Sequence, residues 1–318
     1  MAHFNPEQIQ IGISACLLGE QVRFDGGHKQ SRYCMDELSR VFHYRPVCPE
    51  VAIGMSTPRK TIRLVNDDGN VRLKATDDSF DVTDKMNEFS IKQSKAMDFI
   101  SGYIVCAKSP SCGMERVKLY DDKTGYSEKA GVGLFAKTLM ETYPLLPVEE
   151  DGRLHDLVLR ENFITRVFAY HDWKTLEHIG ISRKAIVAFH TRYKYLLMAH
   201  HQEKYRELGR IVANFSDDVK KDANEYFTLF MQTLMHHANR RSHTNVLNHL
   251  QGFFSDKLSA KQKQELTESI NKYREGLLPL LVPMTLIKHY LNEFEDPFVE
   301  QQVYLNPHPE ELKLRYAY

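Results

Sequence analysis

Ile100-Ser101-Gly102-Tyr103-Ile104-Val105-Cys106-Ala107, running straight into Lys108-Ser109-Pro110-Ser111-Cys112-Gly113, sets the architecture of the chain's first half. The apolar run reads as a buried strand that stops abruptly. Pro110 fixes its own φ and pushes Ser109 toward extended backbone, so the strand cannot run on as a helix. Gly113 admits a backbone conformation that other residues resist and lets the chain approach a ligand closely. Cys112 is expected to lie exposed at the carboxyl end of the strand, where open α/β sheets keep their ligands. Two more cysteines occupy the same kind of place: Cys16 in Ile13-Ser14-Ala15-Cys16-Leu17-Leu18-Gly19, and Cys48 in Pro46-Val47-Cys48-Pro49-Glu50.

Working outward, residues 8–15 predict a short apolar strand and 45–48 a second one. Between them, 31–42 has helical spacing through Met35, Leu38, Val41 and Phe42. Residues 61–64 and 71–74 flank Asp67-Asp68-Gly69-Asn70 and predict a hairpin. Residues 84–100 place Met86, Phe89, Met97 and Ile100 on one helix face. Another helix is predicted over 131–143 and a last strand over 145–148. Strands alternating with helices predict a mostly parallel sheet in a layered α/β domain, residues 1–150. After Glu149-Glu150-Asp151-Gly152 strand alternation is lost. Helical periodicity then runs through 154–173, 182–200, 203–214, 217–238, 244–254, 260–278 and 280–293, with Ser216 expected to cap the helix at Asp217. Residues 151–318 therefore predict an all-α domain.

The 318 residues carry a formal net charge of zero, so a nucleic-acid surface would have to be local. No run reaches the roughly 18 apolar residues of a membrane span. Met1-Ala2-His3-Phe4-Asn5 has neither the basic start nor the apolar core of a secretory signal, and a cytoplasmic location is expected. Five cysteines is an odd number, which favours metal binding, catalysis or burial over a disulfide framework.

Cys16, Cys48 and Cys112 stand 32 and 64 residues apart. The absence of a Cys-x-x-Cys pair argues against a zinc knuckle or a thioredoxin-type dithiol. Spacing alone leaves three inert buried cysteines as an equal alternative; their Pro- and Gly-bounded loops favour a common site. Cys34, in a helix pattern, and Cys106, inside the strand, keep a structural reading. Three thiolates meeting at one point suit an iron–sulfur cluster, normally held by four cysteines, with one iron left open. Such an iron is a Lewis acid that prefers soft ligands such as sulfur. Glu50, two residues past Cys48, stands where it can hold or relay a proton; its other reading is a solvated loop carboxylate. Arg23, Asp25 and Arg59 are candidates for positioning a substrate, Arg59 through a phosphate or a pyrimidine oxygen.

The segments Ser14-Ala15-Cys16-Leu17-Leu18-Gly19, Val22-Arg23-Phe24-Asp25-Gly26, Val47-Cys48-Pro49-Glu50-Val51, Thr57-Pro58-Arg59 and Ser109-Pro110-Ser111-Cys112-Gly113 resemble the thiouracil desulfidase family. The resemblance covers residues 8–150. It implies a Rossmann-like domain, an oxygen-sensitive [4Fe-4S] cluster on Cys16, Cys48 and Cys112, and hydrolytic removal of sulfur from a thiolated pyrimidine. It also implies an acid/base at Glu50 and an assisting serine at Ser109, with Ser111 in the same loop as the other candidate.

Residues 151–318 resemble the helical domain often fused to this desulfidase, through Arg160-Glu161-Asn162-Phe163, Tyr205-x-x-Leu208-Gly209 and His243-x-Asn245-Val246-Leu247-x-His249. The fused form is similar to enzymes that remove sulfur from 4-thiouridine in tRNA, in which the helical domain is implicated in RNA binding. Between Arg183 and Arg210 lie seven Lys or Arg against Glu203 and Glu207, interleaved with Tyr193, Tyr195 and Tyr205. Such surfaces suit RNA backbone and unstacked bases, with Arg192, Lys194 and Arg206 as candidate contacts; a solvated helix face is the other reading. The histidines of this half do not match an i, i+4 ligand pair and are expected to be structural or to touch RNA. Desulfidation of 4-thiouridine in tRNA is the leading expectation. A desulfidase of free thiouracil or thionucleotides, and a non-catalytic iron–sulfur sensor or RNA-binding module, are the alternatives.

Overall fold

The computed structural model describes residues 4, 5 and 7–315. The chain divides into two compact units between Asp156 and Leu157. In chain order the first runs β1 (Gln10–Ser14), β2 (His43–Val47), α1 (Pro49–Ala52), β3 (Ile62–Asp67), β4 (Asn70–Ala75), α2 (Thr83–Lys95), β5 (Tyr103–Val105), β6 (Val117–Asp121), β7 (Ser127–Gly131), α3 (Leu134–Thr142) and β8 (Val148–Glu150).

Two four-stranded sheets result. One has the order β2-β1-β5-β8 and is parallel throughout, as the alternation predicts. Strands buried on both faces read as apolar runs, and β1 is buried at every position. Its centre is Gly12, where an added Cβ would fall 2.1 Å from the Tyr103 ring. The ring therefore lies directly on the β1 backbone and seats β5 beside it. Because the strands are parallel, the loops leaving β1, β2 and β5 emerge at one edge.

The second sheet, β4-β3-β6-β7, contains the predicted hairpin and a second one that the sequence does not announce. Ser127-Glu128-Lys129-Ala130-Gly131 has no apolar alternation and is mostly exposed; pairing with β6 makes it a strand, not its own composition. Residues 31–42 also differ from expectation: a π turn over Tyr33–Glu37 and a 3₁₀ turn over Leu38–Arg40 stand where a regular helix is expected.

The second unit is helical: α4 (Leu157–Ile179), α5 (Arg183–His200), α6 (Gln202–Ala213), α7 (Val219–Leu234), α8 (Arg240–Gly252), α9 (Ala260–Arg274), α10 (Leu281–Glu293) and α11 (Pro297–Glu300). Its core is aromatic. Trp173 stacks on Phe227 at 4.8 Å and meets Phe189 edge-on at 5.2 Å. Asn239 and Ser259 form capping boxes at α8 and α9. Asp218, not Ser216, caps α7; Ser216 is drawn instead onto the Asp222 carboxylate. Among the described residues no helix is long and apolar enough to cross a membrane.

Several histidines are part of this helical core. Burial, reinforced by Lys194, pushes His190 down to about 4. Burial does the same to His200 and His308, both to about 4, and holds His243 well below the ordinary value. His243 Nδ1 lies 2.9 Å from the Tyr304 hydroxyl. The folded unit keeps these rings neutral, whereas the unfolded chain protonates them near pH 6.5. For His190, His200 and His308 the stabilisation is thus complete above about pH 6.5 and is lost as pH falls toward 4, on the order of 1–3 kcal/mol for each of these three rings. Trp173 is the chain's only tryptophan and reports this unit alone. Its fluorescence should show a lower urea midpoint at pH 5 than at pH 7.5; equal midpoints would mean that the rings are not held neutral.

Candidate functional site

The loops at the carboxyl edge of the parallel sheet enclose a cavity of about 690 Å³. Cys16, Cys48, Cys106 and Cys112 all line it, and all are free thiols. The tertiary structure thus brings the three predicted cysteines together and adds Cys106, which the sequence reading leaves as structural. Cys106 is the first residue past β5, and Ser14 Oγ accepts its backbone N–H at 3.0 Å, tying the ends of β1 and β5. Counting from the strand's end, rather than from the end of the apolar run, would have found it.

Cys112 is not exposed as expected: only 3% of it is accessible. The start of α3 lies on its loop. Gly133 N donates to Gly113 O at 2.8 Å and Phe135 N to Ser111 O at 3.0 Å, so helix N–H groups that lack intrahelical partners are satisfied by the loop. Gly113 is required by close approach, since a Cβ there would fall 2.6 Å from Val117. The left-handed residue of the loop is Lys108, at φ 64°.

Burial governs the thiols. It pushes Cys48 up to about 11, helped by the Glu50 carboxylate, and raises Cys112 well above the ordinary thiol value. Cys16 is raised because it donates a hydrogen bond to Cys106, and by burial; Cys106 is lowered by accepting that bond. A metal centre binding Cys16, Cys48 and Cys112 therefore displaces protons. Among the described residues no three His, Cys, Asp or Glu side chains converge closely enough to hold one metal ion. A donor set made only of soft thiols, spread around a cavity, suits a multi-iron cluster better than a single ion.

Glu50 is buried rather than a solvated loop carboxylate. Cys48 Sγ donates to its Oε2 at 3.4 Å, and Arg59 Nη2 stands 3.9 Å from the same oxygen with its side chain 7% exposed. Ser109 Oγ accepts the backbone N–H groups of Ser111 (3.3 Å) and Cys112 (3.1 Å), which leaves its own proton to donate. Ser109 lines the cavity, whereas Ser111 is fully buried, does not line it, and has an Oγ with no partner among the described residues. Arg23 reaches the cavity; Asp25 stays outside its lining, its Oδ1 accepting from Gly27 N. Phe24 was not singled out by sequence. It lines the cavity with 42% of its surface exposed, and its carbonyl accepts from Arg59 N at 2.8 Å. Lys29 resists the burial that would lower it and sits above the ordinary lysine value, because Cys106 and Asp151 face it.

In the helical unit three of the seven cations of the basic stretch, Arg183, Arg192 and Arg210, face a carboxylate. Arg192 Nη2 is 2.5 Å from Asp172, Arg183 pairs with Asp217 at 3.7 Å, and Lys194 lies over the Tyr195 and Phe298 rings. Arg206 is exposed. Tyr193 and Tyr195, expected on the surface, belong to the core, at 3% and 1% accessible. The reason is that the α5 face carrying Phe189 and Tyr193 packs against Phe230 of α7.

A methyl group at Gly133 would fall 2.5–2.7 Å from the Ser111 and Cys112 backbone. Gly133→Ala should displace the loop, lower stability by roughly 1–3 kcal/mol and speed alkylation of Cys112 in metal-free protein, followed by peptide mass spectrometry. Gly152→Ala, with no atom within 4 Å of the added Cβ, is the control and should change neither.

Residues 11–151 match the family model described as 2-thiouracil desulfurase, and residues 194–309 match one described as a protein of unknown function, DUF1722. The chain is 36% identical over 159 residues to the uncharacterized protein YbgA of Escherichia coli (strain K12), covering 49% of this chain and 94% of that one. It is 33% identical over 113 residues to the uncharacterized protein YbbK of Bacillus subtilis (strain 168), covering 32% of this chain and 72% of that one. Among solved structures, the [4Fe-4S]-dependent thiouracil desulfidase TudS is 30% identical, with 48% of this chain and 98% of that chain covered and a TM-score of 0.38. Through its first unit, with four of that unit's five cysteines around one cavity, the chain belongs to the 2-thiouracil desulfurase family.

Proposed function

We propose that the first unit is an iron–sulfur-dependent desulfidase that hydrolyses a thiolated pyrimidine, replacing the thiocarbonyl sulfur by water oxygen and releasing hydrogen sulfide, and that its substrate is 4-thiouridine in tRNA. The observation that carries this reading is the convergence of Cys16, Cys48 and Cys112 on one cavity beside a buried Glu50. The cofactor is the [4Fe-4S] cluster named for the related TudS. Those three cysteines would hold it. When bound, it supplies a Lewis-acidic iron without a protein ligand for the thiocarbonyl sulfur.

The remaining work belongs to the chain's side chains. Glu50, oriented by Arg59, takes the proton of the attacking water or of the ring nitrogen. Ser109, with both acceptor directions used by backbone N–H groups, donates its proton toward the reacting thiocarbonyl group. Phe24 offers an exposed ring on which a pyrimidine stacks. Arg23, Lys29, Arg59 and Lys108 give the cavity a positive wall that suits a phosphate-bearing substrate.

Cys106 supports a second reading. A fourth thiol at the cavity could complete a four-cysteine cluster with no open iron, as in a non-catalytic sensor. Its hydrogen-bonded partner Cys16 argues against this, since thiolates on different irons of one cluster stand farther apart than a hydrogen-bonded pair.

Anaerobic reconstitution separates the readings. Cys16→Ser, Cys48→Ser and Cys112→Ser should each lose iron, while Cys34→Ser and Cys106→Ser keep it. A sensor would lose iron with Cys106→Ser and release no sulfide. Glu50→Gln should keep its iron and lose about 10²- to 10⁴-fold in turnover. Ser109→Ala should lose a comparable amount and Ser111→Ala little. Phe24→Ala should raise KM by roughly tenfold, the scale of one lost base–aromatic stack. Sulfide released from free thiouracil but not from thiolated tRNA would replace the tRNA substrate by the free base.

A further inference from the structure

Beside the cysteine cavity, a second depression of about 700 Å³ runs along the β3–β6–β7 face of the second sheet. The two share Ile62, Lys108, Pro110 and Glu150, so they are continuous around the loop that carries Ser109. No step of the proposed reaction uses this groove.

Its charge is unbalanced. Arg63, Lys108, Arg116, Lys118 and Lys129 line it with Glu115 and Glu150; Arg63 pairs with Asp78 and Arg116 with Glu115, so the excess positive charge is that of the three lysines. The sheet register produces this concentration. Leu64 of β3 pairs with Leu119 of β6, which places Arg63 and Lys118 side by side on one face. The β6–β7 register slips between Val117 and Leu119, and such bulges re-aim neighbouring side chains. Lys108, Lys118 and Lys129 are exposed, and none makes an ion pair among the described residues. The groove also holds an aromatic platform: the Arg63 guanidinium lies 5.2 Å over the Tyr120 ring.

Three exposed, unpaired lysines lining one groove beside a guanidinium–aromatic stack match single-stranded RNA, whose phosphates need counter-charge and whose unstacked bases need a flat surface. We infer that this groove binds the RNA strand flanking the nucleotide presented to the cysteine cavity. The inference deepens the proposed tRNA reading and rests on it for the identity of the target base. It adds an RNA contact on the second sheet of the first unit to those expected in the helical unit.

The test uses the anaerobic cluster-loaded full chain and a fluorescently labelled single-stranded RNA dodecamer, with anisotropy read across a salt series. Lys118→Glu combined with Lys129→Glu changes two exposed residues that do not line the cysteine cavity. RNA affinity should fall at least tenfold at low salt. The log–log salt slope should become shallower by about 1.4, two phosphates at about 0.7 each. Turnover of free 4-thiouracil should be unchanged, which also shows that the variant is folded. The charge-preserving Lys118→Arg/Lys129→Arg pair should bind RNA like wild type. Unchanged affinity and slope in the charge-reversed pair would overturn the inference, even if thiolated RNA is still turned over. Equal weakening of 4-thiouridine 5′-monophosphate and RNA would also overturn it, because the groove would then hold the nucleotide's own phosphate. Failure of the desulfidase reading looks different: no sulfide from any thiolated pyrimidine, with the binding measurement still decisive.

Discussion

Asp151 is buried at the carboxyl edge of the parallel sheet, and three strand exits are tied through it. Its backbone N–H donates to Val105 O at the end of β5, its Oδ1 accepts from Ala107 N at 3.1 Å, and its carboxylate pairs with Lys29 from the loop after β1 at 3.0 Å. A buried carboxylate is tolerable only when its lone pairs are occupied, and here a backbone N–H and an ammonium occupy them. The arrangement fixes where the chain turns after β1 and β5. It therefore fixes where Cys16 and Cys106 stand relative to Cys48. Lys29 remains charged in this setting and brings a cation to the thiols.

The two sheets divide the work. The parallel sheet supplies position: Gly12 under Tyr103 seats the central strands, and the strand ends deliver cysteines and Glu50 to one rim. The second sheet supplies charge, because its pairing lines up lysines and arginines that lie far apart in sequence. Between them the loop from Lys108 to Gly113 is braced from above by α3 and from within by Ser109. Its serine and its cysteine are thereby set by the same hydrogen bonds. The helical unit is built on another plan. Its aromatic rings and neutral histidines form the core, and several of its cations are already answered by neighbouring carboxylates.

Much of this was legible from residue order. The apolar run Ile100–Ala107 specifies a strand because its β-favouring residues act locally, but the strand formed is only Tyr103–Val105 and ends before the proline loop. The seven long helices of the second unit follow from 3.6-residue periodicity for the same reason; each is found, with ends that differ from the expected ranges by up to six residues. Cys16, Cys48 and Glu50 could be picked out because each lies just past a short strand, in a segment that carries proline or glycine. The β7 strand could not be, since Ser127–Gly131 is extended only through its partner.

Residue order thus determined the alternation of strands and helices, which arises from interactions between near neighbours, and marked Cys16, Cys48 and Cys112 as loop cysteines beside proline or glycine. Tertiary structure alone decided that Cys106 joins them, that Cys112 is covered by α3, that Ser109 rather than Ser111 faces the cavity, and that Tyr193 and Tyr195 are core. Each of these depends on which distant segment closes over a side chain. Burial, hydrogen-bond partners and counter-charges are properties of that closure and are written in no local pattern.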